Sequence, residues 1–329
     1  MTTVLVTGGA GYIGSVCCRE LLSRGCAVEV VDNLSTGHAG AVPAGAKLHP
    51  IDIGDRQELS AILSKNKIDV VFHFAAKALI TESVGNPGAF FDVNVARGVN
   101  MLEVLREHGV RKFVFSSSAA VYGITTVVPT PEDHSKNPIN PYGESKLAFE
   151  RILNWYAAAY GWSVMAFRYF NASGGAADWG ENHEPETHVI PLLLQAASGR
   201  RPFFEICGTD YPTPDGSCLR DYVHVVDIAE AHLCALQKMD RAGFHAYNIG
   251  TGTSRSVKEL CQVAEKITKQ KINVRNGPRR PGDPAVLCAS PRNLMDEFKW
   301  RPKHSDLEEI ITGAWLWERT QSSNLAARV

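Results

Sequence analysis

The chain contains no C-x-x-C pair, although it carries eight cysteines, at 17, 18, 26, 207, 218, 234, 261 and 288. That scatter excludes a thiolate zinc module and a disulfide framework, and it suits small buried thiols in a reducing compartment. No metal site is expected. Long apolar runs are also lacking, so no membrane span is expected. The opening MTTVLVTGG has neither a basic start nor an extended apolar stretch, which argues against a secretory leader. Net charge is almost nil: 34 Lys and Arg against 35 Asp and Glu leave −1. Such balance argues against a nucleic-acid or membrane-surface partner. With no repeat or charge block to set beside these absences, the expected compartment is the cytoplasm.

What is present is a chain of 329 residues, 44% of them apolar, enough for two domains or one large α/β unit. Strand-like runs occur at TVLVTGG (3–9), AVEVVDN (27–33), DVVFHFAA (69–76), KFVFSSS (112–118) and SVMAFRYFN (163–171). Helical stretches alternate with them, at 15–25, 55–66, 93–109 and 142–160. This alternation predicts a Rossmann-type, doubly wound parallel sheet with helices on both faces. Ligands of such sheets bind beyond the carboxyl ends of the strands. The residues found there, GG, DN, AA, SSS and FN, are small, polar or acidic. Residues 172–221 read as loops and short elements of a cap. A helix at 225–239 and a strand at 246–250 return to the sheet, Ser254 can cap a further helix, and a last helix begins near Asp306. The expected division is 1–171 with 222–250, and a smaller discontinuous unit of 172–221 with 251–329.

TGGAGYIG (7–14) lies between a strand and a helix and places Gly9, Gly11 and Gly14 in G-x-G-x-x-G, or Gly8, Gly11 and Gly14 in G-x-x-G-x-x-G. Glycines there let the backbone approach a pyrophosphate at a helix N-terminus. Asp32 ends the second strand, where a carboxylate accepts from both ribose hydroxyls and repels a 2′-phosphate, favouring NAD over NADP. Asp52 can meet the adenine amine or cap a helix. Tyr142 and Lys146 of PYGESK stand four residues apart, on one helix face. A free phenol titrates near pH 10, so a nearby ammonium would help make it a base. Ser118, ending the S-S-S strand, can share its proton or hold a substrate.

Together with HFAA, DVNV, RYFNASGG, GTDYPTPDG, RDYVHV and RRPGD, these motifs make the chain resemble the extended short-chain dehydrogenase/reductase superfamily, and within it the UDP-glucose 4-epimerase family. The likeness spans essentially the whole chain. It implies reversible C4 epimerisation of a UDP-hexose through a 4-keto intermediate with tightly bound NAD, in a homodimer paired through the helices near 93–109 and 142–160. Other readings of the same fold are another NAD-dependent nucleotide-sugar epimerase, a nucleotide-sugar dehydratase, which needs an acid pair where Ala119-Ala120 stands, a plain NAD-dependent reductase with exchangeable cofactor, or a non-catalytic NAD-binding regulator.

The resemblance further implies catalytic Ser118, Tyr142 and Lys146. For NAD it implies Gly8, Gly11, Tyr12, Ile13 and Gly14, then Asp32, Asn33, Leu34, Ser35, Thr36 and Gly37. Asp52, Ile53, Phe74, Ala75, Ala76, Asn94, Ser116, Tyr142, Lys146, Tyr169 and Phe170 complete that set. For the nucleotide sugar it implies Ser118, Tyr142, Asn171, His188, Arg220, Arg280, Asp283 and Val286. His188 stands where an asparagine often meets the phosphate, and Cys207 where an aromatic ring often covers uracil. Lys77 falls one position early for the cofactor-binding lysine found in some members.

Overall fold

Strands of three to seven residues, the central ones buried on both faces, dictate the centre of the molecule. The computed structural model describes residues 1–280 and 283–326, so Pro281 and Gly282 of RRPGD lie outside the described residues. The principal sheet uses β1 (Thr3–Thr7), β2 (Ala27–Val31), β3 (Lys47–His49), β4 (Val70–His73), β5 (Lys112–Ser118), β6 (Ser163–Tyr169) and a last strand, Gly243–Ile249. Their order is Gly243–Ile249, β6, β5, β4, β1, β2, β3. Every pairing is parallel. This is the doubly wound α/β sheet expected from the sequence.

Successive side chains on each strand go to opposite faces. Val4, Val6, Val70 and Phe72 enter one core, shared with Leu21 of α1 (Tyr12–Ser23) and Ile228 of helix Val225–Leu236. Leu5, Val71, Phe113 and Phe115 enter the other, against helices Arg56–Lys65, Gly98–Glu107 and Pro141–Tyr160. A third core holds Ile190, Leu193, Phe204, Ile206, Leu260, Ile310 and Ile311, and belongs to the cap.

Several local expectations change. Residues 172–221 are more ordered than loops: they contain helix Val189–Ala197 and strand Phe204–Cys207, which pairs with Val274–Gly277. Pro191 in the helix's first turn hides its periodicity. The helix expected over 93–109 is split, beginning as a π-helical turn at Asp92–Arg97 before Gly98–Glu107. Ser256, not Ser254, caps helix Val257–Thr268, accepting from Glu259 N at 3.0 Å. Within the span assigned to the second unit, Leu294 and Trp300 pack in the first core. The Asp227 carboxylate holds that return by accepting from Lys303 N, His304 N and Ser305 Oγ at 2.6–2.9 Å. No helix among the described residues is long and apolar enough to cross a membrane.

Helix Pro141–Tyr160 is tied to the sheet by a buried ion pair. Arg168 of β6 donates from Nε to Glu150 Oε1 at 2.9 Å and from Nη2 to Oε2 at 2.7 Å. Both side chains are under 5% exposed. Arg168→Leu leaves the carboxylate buried and unpaired, so a loss of about 3–5 kcal/mol is expected in urea unfolding. Arg168→Leu with Glu150→Leu should recover most of it. A single mutant within about 0.5 kcal/mol of wild type would show that the pair is not structural.

Candidate active site

The carboxyl ends of β1, β2, β4, β5 and β6 share one edge of the sheet, and the predicted cofactor and catalytic residues gather there. The turn after β1 leads into α1 with Gly11 at its N-cap and no side chain capping it. The first N–H groups of α1 are therefore left for an anion. A Cβ on Gly14 would stand 2.2 Å from Gly8 O, so only glycine allows this turn. Asp32 is buried at the end of β2, accepting from Ala10 N at 3.0 Å and Leu34 N at 2.8 Å. One lone pair on each oxygen is thereby used and one remains for a ribose hydroxyl. The cradle and the acid fit a dinucleotide of the NAD type.

Asp52 accepts from Gly54 N at 2.8 Å, Asn33 Nδ2 at 2.8 Å and Arg97 Nη1 at 2.6 Å. Against a partial burial that disfavours charge, those donors hold its carboxyl below the usual range. It therefore organises the 33–37 loop, and the helix-capping role falls to Asp55, which accepts from Glu58 N. Asn94, inside the π turn, donates to Lys77 O at 3.0 Å and to Ser145 Oγ at 3.0 Å and accepts from Lys77 N at 2.8 Å. A π turn of this kind often marks a functional position. Here it aims one amide so that the chain after Phe74, Ala75 and Ala76 is clipped to the helix carrying Tyr142. Lys77 itself turns to Glu82, at 2.6 Å.

Asn140 caps that helix by accepting from Gly143 N at 2.8 Å, and Pro141 occupies its first turn. Gly143 lets the helix close on the turn after β5: an added Cβ would lie 2.5 Å from Ala120 O. This approach brings Tyr142 to Ser118. The Ser118 hydroxyl accepts from Ala120 N at 3.2 Å, which leaves its proton free to donate. Lys146 is 3% exposed, donates to Ser116 O at 2.7 Å, and sits 4.9 Å from the Phe115 ring centre and 5.9 Å from that of Tyr142. Burial pulls the Lys146 ammonium down to about 7, against the favourable charge of Glu150. Burial also pushes the Tyr142 phenol up, and Ser118 opposes that push. Burial thus dominates the phenol, and Ser118 is the group that opposes it.

On the cap side, Asn171 Nδ2 donates to Asp221 O at 2.8 Å. Arg220 is buried, donates to Pro284 O at 2.9 Å and places Nη2 3.0 Å from Asp283 Oδ1. Arg220 is therefore a neutralised cation, because Asp283, expected to meet the sugar nucleotide too, faces it. Arg280 is exposed. Val286 pairs with Leu219 in a short parallel ladder, so it lies on Leu219's face. Cys207 ends the strand Phe204–Cys207. His188 precedes helix Val189–Ala197, with Nδ1 2.8 Å from Glu181 Oε1 and 2.9 Å from Glu186 Oε1. Although burial disfavours its charge, the two carboxylates raise His188 to about 10, and Glu181 falls to about 2.

Four supporting residues escape sequence reasoning: Glu150, Arg168, Ser145 and Asp221. Their partners are distant in sequence, and no local spacing announces them. Glu181, His183 and Glu186 did carry a signal, in the alternation of GENHEPETH (180–188).

Comparison with known proteins agrees with the geometry. The family described as "NAD dependent epimerase/dehydratase family" matches residues 4–250. A UDP-glucose 4-epimerase of Lacticaseibacillus casei is 45% identical over 329 residues, covering 99% of each chain. The solved structure of UDP-glucose 4-epimerase from Brucella ovis in complex with NAD is 42% identical, covers 96% of this chain and 98% of that one, and superposes with a TM-score of 0.93. UDP-glucose 4-epimerase from Bifidobacterium longum, in complex with NAD+ and UDP, is 34% identical with a TM-score of 0.93, over 98% of this chain and 99% of that one.

Gly14→Ala tests the cradle. The methyl must displace the Gly8 carbonyl, so NAD carried through purification is expected to fall at least about tenfold, or about 1.4 kcal/mol. Cofactor content per chain, measured after denaturation, checks this, and an unchanged content would refute the placement.

Proposed function

This chain belongs to the NAD dependent epimerase/dehydratase family, and from that premise we propose that it catalyses reversible C4 epimerisation of a UDP-hexose, of the UDP-glucose/UDP-galactose type, with NAD held tightly. The observation that carries the reading is the juxtaposition of Ser118, Tyr142 and Lys146 at the strand ends beside the Gly8–Gly14 cradle. The family also contains dehydratases, but here Ser118 is followed by Ala119-Ala120 in a short 3-10 turn without a carboxylate.

Gly8, Gly11, Tyr12, Ile13 and Gly14 would hold the pyrophosphate region. Asp32 and the Asn33–Gly37 loop would take the adenosine ribose, and Asp52 with Ile53 the adenine side. Phe74, Ala75, Ala76, Asn94, Ser116, Tyr169 and Phe170 would line the path toward the reacting end. When bound, oxidised NAD supplies a hydride acceptor for C4 and a positive charge. Positive charge near Tyr142 favours the phenolate that burial otherwise suppresses. Tyr142 then removes the proton of the 4-hydroxyl and later returns it. Ser118 donates to the C4 oxygen, and Lys146, fixed on Ser116 O, holds ribose hydroxyls. The 4-keto sugar turns its other face between the two steps. Asn171, His188, Arg220, Arg280 and Asp283 are assigned to the nucleotide sugar, the cationic and amide groups among them to its diphosphate. His188, whose Nδ1 faces Glu181 and Glu186, would offer its Nε2–H to that diphosphate, and Arg220 becomes available once Asp283 turns to a sugar hydroxyl.

Two further assignments complete the reading. The eight free cysteines suit a reducing cytoplasm. Trp155 and Tyr160, 72% and 43% exposed on helix Pro141–Tyr160, suit a homodimer face with the neighbouring helix Gly98–Glu107. A monomer in light scattering would refute the dimer.

Tyr142→Phe is expected to lose about 10²–10⁴-fold in turnover while keeping its NAD. Near-normal turnover would sink the assignment. The pH profile gives the sign. Activity requires deprotonated Tyr142, so it falls as pH drops through the phenol's pKa. Ser118→Ala removes the group that lowers that pKa and should move the fall to higher pH. An unmoved limb would show that Ser118 does not act on the phenol.

Val286 is assigned to the border of the sugar pocket, where a side chain smaller than tyrosine leaves room beside C2. UDP-N-acetylglucosamine is therefore expected to be epimerised alongside UDP-glucose. Val286→Tyr should shift the ratio of kcat/KM for the two sugars by about tenfold against the acetylated one. An unchanged ratio would refute it.

A further inference from the structure

The segment 181–188 brings four metal-ligating side chains to one point. One ligand atom from each of Glu181, His183, Glu186 and His188 lies within 4.8 Å of all the others. Glu181 Oε1 is 3.3 Å from His183 Nδ1 and 2.8 Å from His188 Nδ1, and Glu186 Oε1 is 2.9 Å from His188 Nδ1. Donors bound tetrahedrally at about 2.0–2.1 Å stand about 3.3 Å apart, so the closest pairs would spread slightly and the pairs nearer the 4.8 Å limit would draw in.

The hydrogen bonding leaves the cluster incomplete. Both carboxylates converge on a single nitrogen, His188 Nδ1, which carries at most one proton. Nearby, His183 Nδ1 is buried and has no hydrogen-bond partner; its contact with Glu181 falls outside hydrogen-bond geometry. The carboxylates are well covered, at 9% and 8% side-chain exposure, while His183 and His188 at 27% and 42% leave a route from solvent. A divalent cation would engage all four donors and cancel both negative charges.

We propose that Glu181, His183, Glu186 and His188 bind one Zn²⁺ ion in a closed N2O2 site. Two imidazoles with two carboxylates are a borderline donor set that suits zinc rather than calcium or magnesium. The clip has a structural place. Glu181 O accepts from Trp317 Nε1 of helix Leu307–Ala326 at 2.8 Å, and Asn182 Nδ2 lies 3.1 Å from His38 Nε2, next to the 32–37 loop. Zinc there would fasten the strap between the dinucleotide loop and helix Val189–Ala197. The inference does not rest on the reading of the reaction, since metal content and stability are read without turnover.

The test uses the untagged, NAD-containing protein. Elemental analysis should find about one zinc per chain, bound at a four-ligand site. After chelation and dialysis, Co²⁺ should produce the intense visible bands of tetrahedral coordination, and Zn²⁺ should raise the melting temperature. His183→Asn should lose the cobalt bands, weaken Zn²⁺ binding in calorimetry at least about tenfold, and abolish the zinc-dependent rise. Should that variant not fold, Glu186→Gln carries the same expectations. Substoichiometric zinc after reloading, a weak octahedral cobalt spectrum, or unchanged affinity in a folded variant would overturn the site.

Discussion

The carboxylate of Glu150 is the buried charge on which the catalytic face depends. Arg168 answers it through two parallel N–H donors, and Ser117 Oγ donates to the same group at 2.5 Å. An isolated charge in that setting would cost several kcal/mol, so geometry must be held closely. The three residues come from helix Pro141–Tyr160, β5 and β6. Satisfying one anion therefore sets the helix against the strand ends in a single register. Lys146 and Tyr142 lie one and two turns nearer the helix N-terminus, and Ser118 follows Ser117. Arg168 also donates to Tyr122 OH at 2.9 Å, and Tyr122 to Asn248 Oδ1 at 2.6 Å, which extends the tie to the outermost strand.

That arrangement explains why Tyr142 and Lys146 are pulled in opposite directions. Burial raises the phenol and lowers the ammonium, so each is driven toward its neutral form. Glu150 supplies the counter-charge that favours the ammonium, and Ser118 the group that favours the phenolate. A pair poised this way ionises in response to a small change in nearby charge. An exposed Tyr and Lys at the same spacing would gain the proximity without the sensitivity, because water screens such charges.

The sequence announced the sheet because strands buried on both faces leave continuous apolar runs, and it announced the strand-end site because glycine, acid and serine are out of place in such runs. Gly14, Asp32, Ser118, Tyr142 and Lys146 could be named for that reason. Arg168 read as one more strand residue, since nothing local says that its partner sits 18 positions earlier. The π turn around Asn94 kept its helical composition and hid its changed geometry. Helix Val189–Ala197 was masked by Pro191. Leu294 and Trp300 read as part of the cap because a return to the first core depends on Asp227, a long-range partner. Arg220 and Asp283 were each legible as polar site residues, but their mutual pairing was not.

Asp221 decides how the two walls of the cleft relate. Its buried carboxylate accepts from Thr251 N at 2.8 Å, Thr251 Oγ1 at 2.7 Å, Gly252 N at 3.0 Å and Ala289 N at 3.1 Å. Thr251 and Gly252 follow the outermost sheet strand after Gly250, and Ala289 follows the segment bearing Val286. The same residue's carbonyl accepts from Asn171, just beyond β6. One residue thus fastens both chain crossings to the strand that carries Arg220. Hinge motion at that point would strand four donors around a buried carboxylate, and a broken buried network of this kind costs more than a surface contact could return. The walls are therefore held together at the crossings, and the freedom needed to present two faces of a sugar to one phenol must come from the sugar and the side chains around it, not from opening of the cleft.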